Sequence, residues 1–230
     1  MSNKDFELDF STILASTVHD MKNSLGMLLG TVDQLISQCD PSTCPSTNGL
    51  FQLQYEGKRV NNNLIQLLAL YRINNSQYFA NISENDVNEF LEENLLEHQQ
   101  LLSFKNITME ISCPEDLVWF FDGDLIAGVI NNIINNAQKY CRGKLNMRAE
   151  VINGFLALHI EDNGSGYPEH MLHSDANQSR RLNFVEGSTG LGLYFASVVA
   201  GLHVNKNRKG YTTTGNDGID SGGRFTIYIP

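Results

Sequence analysis

The sequence predicts an α+β protein in two parts. An N-terminal antiparallel helical hairpin, residues 1–78, pairs with a second copy into a dimeric four-helix bundle. An α/β sandwich, residues 83–230, follows it. Three observations carry this prediction. Apolar residues recur in alternating steps of four and three over two stretches split by a proline-bearing break. Beyond Phe104, short strand-like runs alternate with helical ones. The total of 230 residues has room for two small domains.

The first helical seam reads Leu14, Val18, Met21, Leu25, Leu28, Val32, Leu35. "DPSTCPST", 40–47, breaks it with two prolines, which remove backbone donors and clash with the preceding turn. The second seam reads Leu50, Leu53, Gly57, Val60, Leu64, Leu67, Tyr71, widened by Ile65, Leu68 and Leu70. A lone hairpin cannot cover so wide an apolar stripe, so a homodimer is expected. The polar run "RINNSQYFANIS", 72–83, reads as a linker, with Ser83 capping a helix to about Phe104. Its buried side is Val87, Phe90, Leu91, Leu95, Leu101 and Leu102. "NITMEIS" and "LVWFF" read as strands, and a helix follows from near Asp124. "LNMRAEVI" and "FLALHIED" pair around Asn153-Gly154. "TGLGLYFASVVAGLH" is a helix and "GGRFTIYIP" a closing strand. One sheet covered by helices accommodates this order.

Composition narrows the partners. Hydrophobic residues make up 41% and charged residues 18%, which suits a folded chain. A net charge of -10 argues against nucleic acid or an anionic membrane, since each needs a basic face, but not against a local nucleotide pocket. No apolar run approaches the ~20 residues of a membrane span, and "MSNKDFELDF" lacks a signal-peptide core. A cytoplasmic setting with reduced thiols is therefore expected. Of Cys39, Cys44, Cys113 and Cys141 none forms a CxxC pair, and "CDPSTC" lacks the further ligands zinc requires.

Chemistry gathers at three later segments. The helix from Asp124 carries Asn131, Asn132, Asn135 and Asn136. Asparagine is a poor helix former, so the cluster has a cost that either an exposed polar face or a ligand must explain. Asn132 and Asn136 share a side four residues apart, and an amide oxygen suits Mg²⁺. "EDNGSGYP", 161–168, places Asp162 before Gly164 and Gly166 directly after a strand. In "GSTGLGLYFA", 187–196, Gly190 and Gly192 open a helix whose N–H groups and dipole favour an anion; the G-K-[ST] ending of a Walker loop is absent.

In this order the three segments resemble the GHKL ATP-binding domain (the Bergerat fold) of sensor histidine kinases, type II topoisomerase ATPases, Hsp90 chaperones and MutL repair proteins, over 83–230. "HDMKNSL" within "STVHDMKNSLGMLLG", 16–30, resembles the phosphoacceptor box of the histidine kinases, with His19, Asp20, Lys22, Asn23 and Leu25 in place. With Val18 and Met21 in the seam, His19 points beside it toward solvent, and Asn23 follows one turn on. An imidazole is mostly neutral at pH 7, so a ring nitrogen can attack phosphorus; Asp20 would take up the other proton.

The resemblance implies a two-component histidine kinase core. ATP would phosphorylate His19, and a response-regulator receiver domain would accept the group on an aspartate. Asn23 would hold a water for the reverse, phosphatase, task. Lys22 would steady phosphate charge or be a solvated lysine. Asn136 matches the Mg²⁺ ligand, Asn132 its neighbour, Lys139 a phosphate contact and Tyr140 a base contact. Asp162 would accept the adenine amino group, Gly164 and Gly166 would turn beside the base, and Gly190, Leu191 and Gly192 would wrap the phosphates. Residues 168–187 would form a lid, with Arg180 or Arg181 touching the γ-phosphate or lying on the surface. Three departures stand out: Ser24 replaces the usual proline, Ser188 a loop glycine, and "LHVNKN" the usual His-Gly-Gly turn. The alternatives are a histidine phosphotransfer protein or phosphatase with weakened ATP use, an ATP-gated clamp, and a dimerisation scaffold. Input would come from a separate sensor protein, or the chain is one piece of a longer kinase.

Overall fold

The computed structural model describes residues 10–38, 47–75, 78–172 and 191–230. The chain divides between Tyr78 and Phe79 into two compact units. The architecture is α+β, helices first and a mixed sheet after.

The first unit is a helical hairpin, α1 (Phe10–Gln38) and α2 (Thr47–Asn74). Residues 39–46, with Cys39, Cys44 and both prolines, lie outside the described residues. Val18 and Val32 are buried on α1, with Leu25 and Leu29 half-buried beside them. Gly57 of α2 makes room for this packing, since a Cβ there would sit 2.7 Å from Leu29 Cδ2. The expected α1 seam splits in two. Val18, Leu25 and Val32 turn inward, whereas Met21, Leu28 and Leu35 are exposed at seven-residue spacing. On α2, Leu53, Val60 and Leu67 repeat that spacing and are also exposed. One partner helix covers only half of so wide a face. The expected linker is displaced as well. The helix continues through Arg72 to Asn74, where the N–H of Asn75 donates to Tyr71 O (3.1 Å) and Arg72 sits favourably in the last turn.

The second unit opens with β1 (Ser83–Asp86), a strand where a cap at Ser83 was expected. Asp86 caps the next helix instead, its carboxylate accepting the N–H of Glu89 at 2.9 Å. Such a cap contributes about 1 kcal/mol. That helix is α3 (Val87–Phe104); Leu95 and Leu101 are only half-buried on it, and Asn94 and His98 join its buried side. Then come β2 (Thr108–Ser112), β3 (Val118–Phe121), α4 (Gly123–Tyr140), β4 (Lys144–Ile152), β5 (Phe155–Asp162) and α5 (Leu191–Leu202). Short strands β6 (Val204–Asn205) and β7 (Arg208–Lys209) lead to β8 (Tyr211–Gly215) and β9 (Arg224–Ile229).

The main sheet has the order β2-β4-β5-β9-β8. Only the β2–β4 pair is parallel. β1 and β3 form a separate antiparallel ribbon. The β4–β5 hairpin turns at Asn153 and Gly154, both at positive φ, which matches the strand twist. Alternation sets the core. Leu145, Met147 and Ala149 on β4, Leu156, Leu158 and Ile160 on β5, and Phe225, Ile227 and Ile229 on β9 are all buried. They share it with Ile126, Val129, Ile130 and Ile133 of α4 and Phe195 and Val199 of α5.

The start of α4 is held by a buried polar knot. Asp122 Oδ1 accepts the N–H of Leu125 (3.0 Å), and Oδ2 that of Asn81 (2.8 Å). The N–H of Asp122 donates to His203 Nε2 (3.0 Å), while His203 Nδ1 lies 2.9 Å from Val199 O. His203 is therefore neutral with its proton on Nδ1. Burial above all lowers its pKa, against the raising effects of the Val199 carbonyl and Asp122. Burial also lowers that of His159, with Arg148 adding to it. A depressed folded pKa contributes stability above the unfolded value and loses it as pH falls through the folded one. The melting temperature should thus decline as pH drops below about 6.5. His203→Gln, which keeps an acceptor for Asp122, should flatten that decline in differential scanning calorimetry; an unchanged profile would remove His203 as a source.

Candidate functional site

At the carboxyl end of β5 the chain places Asp162, and the local backbone fixes its carboxylate. Oδ1 accepts the N–H of Gly164 (2.7 Å) and of Gly223 (3.3 Å). The Asp162 N–H donates to Gly223 O (2.8 Å). Oδ2 receives no donor from the described residues. Glycine is required at the approach: a Cβ on Gly223 would lie 2.6 Å from Asp162 Oδ2, and one on Gly222 would overlap the Asp162 carbonyl.

The turn after Asp162 is pinned at both sides. Asn163 is buried, and its Oδ1 accepts the N–H groups of Arg142 (2.8 Å) and Lys144 (3.0 Å), tying the end of α4 and the start of β4 to the end of β5. Asn216 accepts the N–H of Tyr167 (2.6 Å) and donates to its carbonyl (2.9 Å). Gly166, at φ +78, has no room for a side chain beside that amide. The Tyr167 ring lies alongside Gly223; burial first, then the charge of Asp162, pushes its phenol above the usual range, so it stays neutral.

Across from this turn, α4 supplies the asparagines. Asn131 is structural: its Oδ1 lies 2.6 Å from His98 Nε2 on α3. Asn132 is buried, with no acceptor for Nδ2 among the described residues. Its side chain fills the space where a Cβ on Gly192 would go, so the first turn of α5 rests on this amide. Asn136, Lys139 and Tyr140 are exposed at the C-terminal end of α4, and the Tyr140 carbonyl packs against Gly164. Leu191 and Gly192 begin α5; Gly190, like Arg180, Arg181 and most of the expected lid, lies outside the described residues.

Asn132, Tyr140, Asp162, Gly164, Gly166 and Gly192 thus sit on adjoining elements of one unit. Sequence reasoning missed Asn163, Tyr167, Asn216, Gly222 and Gly223. The "GG" before "RFTIYIP" was the available signal, since paired glycines at a strand start mark close backbone approach.

His19 belongs to the other unit and is described by itself. Its side chain is 65% exposed. Nδ1 lies 3.2 Å from Asn23 Nδ2 and 3.8 Å from Asp20 Oδ1. Ser24, where the resemblance led us to expect a proline, donates its hydroxyl to Asp20 O (3.0 Å), so the helix passes this point with its hydrogen-bonded turn intact. Among the described residues no cluster of His, Cys, Asp and Glu forms a metal site, and no helix is long and apolar enough to cross a membrane.

Comparison with known proteins fits this geometry. Residues 121–230 match the family described as histidine kinase-, DNA gyrase B-, and HSP90-like ATPase. The sensor protein SrrB of Staphylococcus aureus is 22% identical over 200 residues, 83% of this chain and 34% of that protein. The chain therefore spans about a third (34%) of the length of the curated relatives it matches. Among solved structures, the Acinetobacter baumannii histidine kinase AdeS superposes with a TM-score of 0.59 at 24% identity, covering 92% of this chain and 96% of that one. ShkA, solved with AMPPNP, gives 0.65 at 18%, covering 95% and 45%. The catalytic domain of the histidine kinase ThkA gives 0.55 at 22%, covering 65% and 97%. These likenesses are of fold.

If the Asn163 clamp holds the turn beside Asp162, Asn163→Ala should cost about 2 kcal/mol by leaving two backbone donors without their acceptor. Urea unfolding followed by circular dichroism measures this, and an unchanged midpoint would show the clamp to be idle.

Proposed function

On the premise that residues 121–230 belong to the histidine kinase-, DNA gyrase B- and HSP90-like ATPases, we propose that the chain is an ATP-dependent protein histidine kinase core. It phosphorylates His19 and passes the group to a receiver-domain aspartate of a response regulator. The observation that carries this reading is the pairing of two features on one chain. One is an exposed imidazole beside a carboxylate and an amide; the other is a fixed carboxylate, Asp162, with one oxygen that receives no donor among the described residues.

Three features support ATP with Mg²⁺ as the cosubstrate. Asp162 Oδ2 is an acceptor suited to the adenine amino group, held in place because Oδ1 is already saturated by backbone donors. Asn132 Nδ2 is a buried donor without an acceptor, beneath the glycine-led start of α5. Asn136, one turn on, offers an amide oxygen of the kind Mg²⁺ accepts. Bound Mg²⁺ would neutralise charge on the phosphates. Lys139 would contact a phosphate and Tyr140 the base, Gly164 and Gly166 shape the turn, and the Gly190-Leu191-Gly192 run would supply N–H groups to the phosphates.

The transfer step follows from the hairpin. Nδ1 of His19 lies beside the Asn23 amide and the Asp20 carboxylate; in the tautomer that carries its proton on Nδ1, directed at Asp20 in place of the Asn23 contact, the Nε2 lone pair is free for the phosphorus. As Nε2 forms its bond to the γ-phosphorus, the bond from phosphorus to the bridging oxygen breaks and ADP leaves. The ring's positive charge is relieved when the Nδ1 proton passes to Asp20 or water. Asn23, 3.2 Å from the same ring, would hold a water for hydrolysis of a regulator's phosphoaspartate. The exposed stripes Met21–Leu28–Leu35 and Leu53–Val60–Leu67 support pairing with a second hairpin, since such heptad stripes are what a four-helix bundle buries.

Incubation with γ-labelled ATP and Mg²⁺ tests the proposal. Acid-labile, base-stable label should appear on the wild type and vanish in His19→Gln. Label that persists in His19→Gln, or that never appears while ATP still binds, would overturn the kinase reading. Asn136→Asp should reduce labelling at least about tenfold by disturbing metal placement, with the sedimentation coefficient of the dimer unchanged.

A further inference from the structure

The main sheet has a second face, turned away from α4 and α5 by strand alternation. Asn146, Arg148 and Glu150 of β4, Glu161 of β5 and Arg224 of β9 stand on it half-buried. His159 of β5 is only 3% exposed among them, and its cross-strand neighbour Thr226 of β9 is buried too. The described charged groups facing the ring are Arg148 and Glu150 from β4, Glu161 from its own strand and Arg224 from β9. Burial, then Arg148, holds the imidazole below its ordinary pKa, so it is neutral at pH 7.

Two groups compete for one oxygen beside this ring. His159 Nδ1 lies 2.9 Å from Thr226 Oγ1. Nε2 lies 3.1 Å from Glu150 Oε1 but out of hydrogen-bond alignment, and that same oxygen is engaged by the Arg148 guanidinium. A neutral ring leaves Glu150 with Arg148. A ring protonated from solvent carries full charge, and a hydrogen bond from a charged donor is roughly twice as strong as a neutral one. The network then runs to the end of the strand. Arg148 Nη2 lies 3.5 Å from Glu161 Oε1, and Asn146 Nδ2 donates to Glu161 Oε2 (3.3 Å). Glu161 faces Arg224 across the β5–β9 pair, and the residues next to these two, Asp162 and Gly223, close the carboxylate clamp. Arg224 pairs with Asp217 (2.9 Å), beside the Asn216 that pins Tyr167.

We propose that His159 is a positioning residue for the nucleotide site: neutral, it leaves Arg148 braced between Glu150 and Glu161 and so holds Asp162 in place for the adenine, whereas protonated it draws Glu150 from Arg148 and loosens that hold. The inference rests on the reading of Asp162 as the adenine acceptor. It makes nucleotide affinity fall with acid through a group that touches neither the base nor the phosphates.

The first arm of the test needs no nucleotide. The full chain, isotope-labelled at glycine and histidine, is titrated from about pH 8 to about pH 5 and followed by NMR. The Gly164 and Gly223 amides, which both donate to Asp162 Oδ1, should shift with the midpoint of the His159 ring, below about 6.5. His159→Gln keeps a donor and an acceptor but does not titrate, and there the shared midpoint should vanish. Glu150→Gln, at a half-buried position, should leave the ring titrating and the two glycine amides still. The second arm measures ATP affinity with Mg²⁺ by calorimetry at both ends of the range. Acid should weaken binding at least about fivefold more in the wild type than in His159→Gln, the ligand's own protonation cancelling between the two. Glycine amides that ignore the His159 midpoint, or that follow it still in Glu150→Gln, would overturn the proposal, as would equal pH dependence of ATP affinity in the two chains. Amides that follow His159 in a chain that binds no ATP at either pH would uphold the coupling and sink the adenine reading instead.

Discussion

The second unit turns on one carboxylate. Asp162 ends the central strand β5, and its Oδ1 is caught between the N–H of Gly164 in its own turn and the N–H of Gly223 at the start of β9. Two glycines, Gly222 and Gly223, are needed for the backbones to come that close. A buried carboxylate is expensive unless donors meet it, and here, among the described residues, the backbone meets one oxygen only. The other oxygen is held in a fixed direction at no further conformational cost. Burial of the apolar sheet face positions β5, β5 positions Asp162, and Asp162 together with Asn163 positions the turns on either side.

The same logic explains why α4 tolerates asparagine at 131 and 132. Asn131 is spent on α3 through His98, and Asn132 supports the start of α5. Helix propensity lost at these positions is offset by contacts between elements, not by a favourable helix surface. The knot of Asp122, His203 and Asn81 then fixes where α4 begins, and hence where its asparagines lie along the sheet. The hairpin solves a different problem. Its inward residues Val18, Leu25 and Val32 satisfy one partner helix, and the heptad leaves an equal set outside. His19 sits next to Val18 in sequence and is exposed, so its ring is presented without interrupting the packed side.

Much of this was legible in the sequence. Period-two alternation gave the strands of the sheet, and the Asn153-Gly154 turn gave the hairpin between β4 and β5. Period 3.5 gave the two long helices. What failed did so for identifiable reasons. Ser83 reads as a helix cap by local rules, but its segment pairs with β3, whose residues lie 32 to 38 positions away in the register (118 − 86 to 121 − 83), which no local pattern reveals. Asp86 fills the capping role instead. Strands β6 and β7 are two residues each and pair only with each other, whereas threonine-rich β8 exists because β9 offers it an edge. At the site, single residues such as Asp162 were readable because they sit in glycine turns. Asn163, Tyr167 and Asn216 act by holding backbone across long sequence separations, which leaves no periodic trace.

The central claim is that the open oxygen of Asp162 selects adenine. Calorimetric titration of the Mg²⁺-supplemented protein with ATP and with GTP tests it most directly, in the wild type and in Asp162→Asn. A carboxylate oxygen accepts from the adenine amino group and repels the guanine carbonyl, so ATP should bind at least about tenfold tighter than GTP in the wild type. An amide nitrogen in its place should erase or reverse that preference. Equal affinity for the two nucleotides in the wild type, or a preference unchanged in Asp162→Asn, would contradict it.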